Sequence, residues 1–238
     1  MAFPQFKSNG AHTAPHSTDL DLPYPATVDD GDFLVAITMV GNIQTITAPS
    51  GWTLLDTLTL NITSGFYYRI ADGTETGTAT WTIPVATFWN AAMVSFSGVN
   101  TSSPFDETLT TTTNILSTWD VPLPSRSNSS GYDRLALANI MSGTDPNASS
   151  NVEYTRHFTS PPVMWYSMEL ASGDNDGVTL TKQYSSNQTS IVNLVLKPTD
   201  EVEATPGPSG VEKINDVSLA DIAKYNDIDI ADVNKLFN

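Results

Sequence analysis

Three histidines, His12, His16 and His157, are the side chains of this 238-residue chain best suited to proton transfer or metal binding near neutral pH. None stands in an HExxH pair or beside a GxSxG serine, the spacings that zinc hydrolysis and acyl transfer need. His12 and His16 lie in a Ser/Thr/Pro-rich stretch that reads as a solvated loop. His157, in "EYTRHFTS", alternates like a strand residue at a surface. The chain has no cysteine, which removes disulfides, thiolate metal centres and a cysteine nucleophile. Phosphate loops and dinucleotide fingerprints are absent. The 26 carboxylates are plentiful, but no motif sets two of them across a cleft at the roughly 5 to 9.5 Å that glycoside hydrolysis requires. "DDGD" (Asp29 to Asp32) and "DNDG" (Asp174 to Gly177) offer clustered oxygens of the kind calcium prefers. Neither continues into an EF-hand loop, and Asp, Asn and Gly are the ordinary residues of tight turns. The expectation is a protein without enzymatic activity, metal or cofactor.

A carbohydrate platform is the other chemistry to weigh. Its candidates are Tyr67, Tyr68, Trp81, Trp89, Trp119, Trp165 and Tyr166. Most sit inside strand patterns, where packing is the usual task. Trp89, in "TFWNAA", and Trp119, in "STWDVP", lie nearer to loops and are the better candidates for exposure, although packing is the expectation for them too. A net charge of −16 and a pI near 4.2 repel phosphates and argue against nucleic acid as a partner. The N-terminal residues lack the apolar core of a signal peptide, and no apolar run approaches a membrane span. The expectation is a protein made in a cytoplasm, with no membrane insertion.

The elements that would position these residues are strands. Charged residues make up only 15% of the chain, so Thr, Ser and Asn must supply the polar surface, a composition suited to strands and turns. Strand signals run from about residue 16 to 198. "DFLVAITMV" reads as a fully buried strand, "SGFYYRIADGTETGTATWTI" as two strands joined through Gly73 to Gly77, and "NAAMVSFSGV" as a further buried strand ending at Gly98. Turn signals recur every dozen or so residues without a helical period of useful length. The pattern predicts an all-β domain over 16–198, a single antiparallel β-sandwich of jelly-roll-like form. Residues 1–15 read as an N-terminal arm and 199–212 as a Pro/Gly/acidic linker.

Residues 213–238 are a duplicated tail, with Lys213, Lys224 and Lys235 spaced 11 residues apart. Ser218 and Asp229 read as helix N-caps, each followed three residues later by an aspartate, Asp221 and Asp232. Asn215-Asp216 and Asn226-Asp227 supply turns. Helices of about eight residues do not persist alone in water, so their apolar side must be covered. That side is Ile214, Val217, Leu219 and Ile222 in the first copy and Tyr225, Ile228, Ile230 and Val233 in the second, extended by Leu236 and Phe237. These are the expected partner-binding residues, seated on another protein or a sister subunit. The alternative is that the tail covers itself on its own β-domain.

An ordered series of segments carries a family resemblance. "VDDGDFLVAITMV", "ITAPSGWTLLDT", "YYRIADGTETGTATWTI", "MVSFSGVNTSSPFD" and the closing "VNLVLKP" follow one another over residues 16 to 198. The series resembles a β-sandwich module of structural proteins in tailed bacteriophages. The tail is similar to short "KINGV-x-x-A-x-I" segments at the C-termini of such proteins, with Asp216 and Asp227 where glycine is usual. The resemblance implies a virion component, assembled in the host cytoplasm and displayed on the particle surface. Its partners would be other virion proteins, copies of itself, and a host surface glycan. Three roles follow: capsid decoration or head fibre, tail or baseplate adhesion, and a cellular carbohydrate-binding protein. A compact domain with a short docking tail favours the first. If the tail is the anchor, Leu219→Asp combined with Ile230→Asp leaves the melting curve of the β-domain unchanged and abolishes assembly on particles lacking the protein. Normal assembly of the double variant rules the anchor out, and a much earlier melt assigns the tail to core packing.

Overall fold

A computed structural model describes residues 4–11, 13–59, 61–106, 110–114, 120–122, 134–142, 149–150, 155–158, 163–170, 179–181, 189–199, 213–214 and 217–218. Every regular element among them is a strand. The first six are β1 (Gln5–Asn9), β2 (His16–Pro23), β3 (Phe33–Val40), β4 (Thr53–Thr59), β5 (Thr63–Ile70) and β6 (Thr78–Ser97). They form an antiparallel sheet in the order β1-β6-β3-β5-β4, with β2 also paired to β6. Pairing starts at Gln5, inside the segment read as an arm.

Strand β3 is apolar throughout because both of its faces are covered. Phe33, Val35, Ile37 and Met39 bury with Phe66, Val94 and Phe96 on one side. Ala36 and Val40 bury on the other with Tyr67, Met93, Trp81 and Trp89. Strand β6 serves both arrangements. Thr78 to Phe88 faces β2, with Trp81 opposite Leu20, and Trp89 to Phe96 faces β3. Within the first stretch the β2–β6 register slips, Ser17 pairing with Thr87 and Asp19 with Thr82. Pro84 lies in the slipped stretch. It has no N–H to give to a ladder, which is why the chain leaves the pairing there.

A second set follows: β7 (Thr110–Asn114), β8 (Asp120–Pro122), β9 (Arg134–Ser142), β10 (Ser149–Ser150), β11 (Thr155–Phe158), β12 (Val163–Leu170), β13 (Thr179–Thr181) and β14 (Thr189–Leu196). Five of them pair in the order β11-β12-β9-β14-β7 and three in the order β10-β13-β8. Leu135 of β9 and Leu194 and Leu196 of β14 bury in the cluster that holds Phe33 and Phe96. The described strands segregate by chain half: β1 to β6 share one sheet and later strands the others. Short connections such as the one between β4 and β5 keep successive strands together.

The two halves interlock where β6 ends. Gly98, at φ 71°, turns the chain out of the strand. Val99 then bridges Pro198, and Phe105 bridges Leu196. Asn100 N–H donates to Lys197 O at 2.9 Å, Lys197 N–H to Pro104 O at 2.9 Å, and Asp106 N–H to Val195 O at 3.0 Å. The Asn100 carboxamide oxygen accepts from the N–H groups of Ser102 and Ser103, both at 3.0 Å, and so shapes the turn. The Phe105 ring stands edge-on to Phe33 and Tyr68 at centroid distances of 5.6 and 5.2 Å.

Residues Met1–Asp200 form one compact unit and Glu201–Asn238 another. In the second, β15 (Lys213–Ile214) pairs antiparallel with β16 (Val217–Ser218), Ile214 opposite Val217. The helical reading of Leu219 to Asn238 falls outside the described residues.

Two outcomes follow from the interlock. A chain truncated after Asp200 retains β-type circular dichroism and a single melting transition. Phe105→Ala destabilises the unit by about 3 kcal/mol, the lower end for phenylalanine truncation because the ring is only partly buried. Denaturant titration of each variant measures both.

Candidate partner-binding surface

The carboxylates of the "DDGD" loop are turned on the protein itself. Asp32 N–H donates to Asp29 O at 3.1 Å around Gly31, whose φ is 83°. Asp29 N–H returns a bond to the Asp32 carboxylate at 2.7 Å. Lys7 of β1 places its ammonium 2.5 Å from Asp29 Oδ2 and 2.6 Å from Asp32 Oδ2. Partial burial pulls the Lys7 pKa down, but the hydrogen bonds and charges of Asp29 and Asp32 outweigh it and hold the pKa above its ordinary value. The loop therefore braces β1 against the entrance of β3. Among the described residues no three His, Cys, Asp or Glu side chains gather as a metal site. The "DNDG" loop, Asp174 to Gly177, lies outside them.

Arg69 is used in the same way. Its Nη2 donates to Asp72 at 2.8 Å and Glu75 at 2.9 Å. Thr74, through its side chain and its N–H, and Arg69 together hold the Asp72 carboxyl below its usual range. A Cβ on Gly51 would lie 3.1 Å from Arg69 Nη1, and Gly51 has φ 84°. Those two constraints explain the glycine of "PSGW".

The aromatic candidates that the structure describes are packing residues. Trp81 is fully buried, 5.1 Å from Trp52 and 5.9 Å from Tyr67. Tyr67 is buried too, and Tyr68 stacks on Phe33 at 5.6 Å. Trp89, a better candidate for exposure than most but still expected to pack, is 0% exposed, and its Nε1–H donates to Ser17 O at 3.0 Å. The exposed ring is its neighbour Phe88, at 66%, because strand residues alternate between faces. Trp119 and the side chains of Trp165, Tyr166 and His157 lie outside the described residues, as does His12. His16 stands edge-on to Phe88 at 4.7 Å.

Phe88 belongs to an apolar surface with Ile43, Leu54 and Val85, which are 65%, 52% and 61% exposed. Backbone and amide bonds join its parts. Gly41 N–H donates to Phe88 O at 3.0 Å, and Val85 N–H donates to the Gln44 carboxamide oxygen at 2.9 Å. Beside Ile43 an open groove of about 490 Å³ runs between the 43–46 segment and β4, lined by Ile43, Gln44, Ile46, Leu54, Thr57 and Thr59. The Nε2 group of Gln44 is buried there without a hydrogen-bond partner. Sequence reasoning did not single out this surface. Its one signal was Pro84, which breaks the pairing of β6 and leaves Val85 outside.

Of the expected docking residues, Ile214 and Val217 sit opposite each other in the β15–β16 pair. Leu219, Ile222, Tyr225, Ile228, Ile230, Val233, Leu236 and Phe237 lie outside the described residues. Comparison with protein-family models, curated proteins and solved structures finds no match for this chain.

Lys7 and Tyr67 give stability the same sign at alkaline pH. Below 10.5 Lys7 is charged in the folded and the unfolded chain, and its ion pairs contribute in full. As pH rises through its raised folded value that contribution is lost. Burial lifts Tyr67 from 10.0 to about 12, so over this window the unfolded chain ionises while the folded one stays neutral, and unfolding gains. Stability measured in urea therefore falls between pH 10 and 12. Tyr67→Phe makes the fall shallower, and Lys7→Met removes its own share while lowering stability at neutral pH. An unchanged slope in both variants contradicts the assignment.

Proposed function

We propose that this chain is a non-enzymatic structural protein of a bacteriophage particle, a capsid decoration or head-fibre protein on the virion surface. The observation that carries the reading is where the resembling segments meet. The "DGD" turn joins "IADG" through Gly31 N–H to Ala71 O at 2.9 Å and Ala71 N–H to Asp32 O at 2.8 Å. The "SGVN" and "SPFD" segments join "LVLKP" through the bonds around Asn100, Asp106 and Lys197. Segments that are loose as separate motifs thus act together, and all lie where β3 begins and β5 and β6 end.

The same reading takes residues 16–198 as an antiparallel sandwich, supported by Leu135, Leu194 and Leu196 sharing one core with Phe33 and Phe96. The partners are other virion proteins and further copies of the chain, with a host surface glycan as partner if the protein sits on the tail.

Immunogold labelling of purified particles tests the assignment. Label on the head is expected. Label confined to the tail replaces decoration by adhesion, and an unlabelled particle overturns both. Turnover of a glycan or ester panel, abolished by one carboxylate substitution, contradicts the non-enzymatic reading.

A further inference from the structure

We propose that Lys7 and Asp32 condense to an isopeptide bond between Lys7 Nζ and Asp32 Cγ, with Asp29 carrying the protons, so that β1 becomes covalently locked to the entrance of β3. The proposal does not rest on the virion reading.

Such a condensation needs an amine, a carboxyl as electrophile and a second carboxylate as proton carrier, and the three side chains stand in that arrangement. Lys7 Nζ is 2.6 Å from Asp32 Oδ2 and 2.5 Å from Asp29 Oδ2. A bulge brings it there. The β1–β6 register shifts between Phe6 and Ser8, which takes Lys7 out of the ladder and re-aims its side chain. Asp32 is the better placed electrophile. Its side chain is 6% exposed, against 77% for Asp29. Its backbone is pinned on both sides, Asp32 N–H to Asp29 O at 3.1 Å and Ala71 N–H to Asp32 O at 2.8 Å. Asp29 N–H donates to Asp32 Oδ2 at 2.7 Å. It thereby supports the negative charge that gathers on that oxygen when nitrogen adds to Cγ.

The step balances within the cluster. Asp29 takes a proton from the Lys7 ammonium and passes it to Asp32 Oδ1. The amine attacks Cγ, a second proton leaves nitrogen by the same route, and the Cγ–Oδ1 bond breaks to release water. The carboxylates keep Lys7 charged, so near neutral pH the amine is uncharged less than about one time in a thousand. Fixed proximity outweighs that scarcity, because well-oriented intramolecular reactions reach effective molarities of about 10⁵ M and above. The condensation is thus a slow maturation of the folded chain that starts from the ion pair. The alkaline loss of stability assigned to Lys7 belongs to the chain before condensation. The product joins residues 25 apart in a chain without cysteine, and constrains the unfolded state as a disulfide does.

Intact-mass spectrometry tests the proposal on the full-length protein, kept folded for days near neutral pH and then denatured in acid. The wild type falls one water below the mass of its sequence, and digestion yields the Lys7 peptide joined to the Asp32 peptide. Lys7→Met keeps its full mass. Asp29→Asn, at an exposed side chain, accumulates the product at least about tenfold more slowly, with circular dichroism like that of the wild type. A wild type that keeps its full sequence mass overturns the proposal. So does a water loss that Lys7→Met retains, which places it in a succinimide at Asp30-Gly31 or Asp72-Gly73. An Asp29→Asn chain that condenses as fast as the wild type overturns it as well.

Discussion

The first unit is closed by the exchange of backbone hydrogen bonds between residues 98–106 and 194–199. Strand β14 already pairs with β9 and β7. Its far end also receives Val99 and Phe105 from the first half of the chain. One strand thus ties both halves, and the Phe105 ring is carried onto Phe33 and Tyr68. A single neutral hydrogen bond contributes only about 1 kcal/mol, but leaving its groups buried and unpaired costs more. Without this exchange, the apolar end formed by Phe33, Phe96 and Val99 would lose its cover.

Ion pairs have a similar local task. Lys7 ties β1 to the turn before β3, and Arg69 ties β5 to the loop before β6. Both cations are thereby spent on the carboxylates of the same sheet. The opposite end of that sheet is treated differently. There Pro84 interrupts the β2–β6 pairing, and Ile43, Val85 and Phe88 stand in solvent among Thr, Asn and Gln. A sheet end secured by polar contacts and another left apolar and uncharged give the unit a direction. The secured end stabilises the fold, and the apolar end stays exposed.

Much of the first sheet was legible in the sequence because burial on both faces leaves an unbroken apolar run, as in β3. The glycine turns at Gly31, Gly51 and Gly98 were equally plain, since each needs positive φ. Strand β6 was read as two strands. Its change from alternating to continuous apolar residues marks a change in what covers it, not a break in the chain. Strand β1 was missed because Gln5–Asn9 holds one apolar residue, Phe6, too little to give a period. Packing was the expectation for Trp89 despite its nearness to a loop, and strand parity turns Phe88 outward in its stead. The exposed apolar residues 43, 54, 85 and 88 come from separate segments, and Pro84 was their one signal in the sequence.

The central claim is that the exchange around Asn100 and Lys197 closes the unit. Native-state hydrogen exchange measures it most directly. The account predicts that the amides of Asn100, Asp106 and Lys197 open with the same free energy as those of Phe33 to Val40, in one cooperative event. Amides of 98–106 and 194–199 that exchange far sooner, while β3 stays protected, would show that the halves are joined elsewhere.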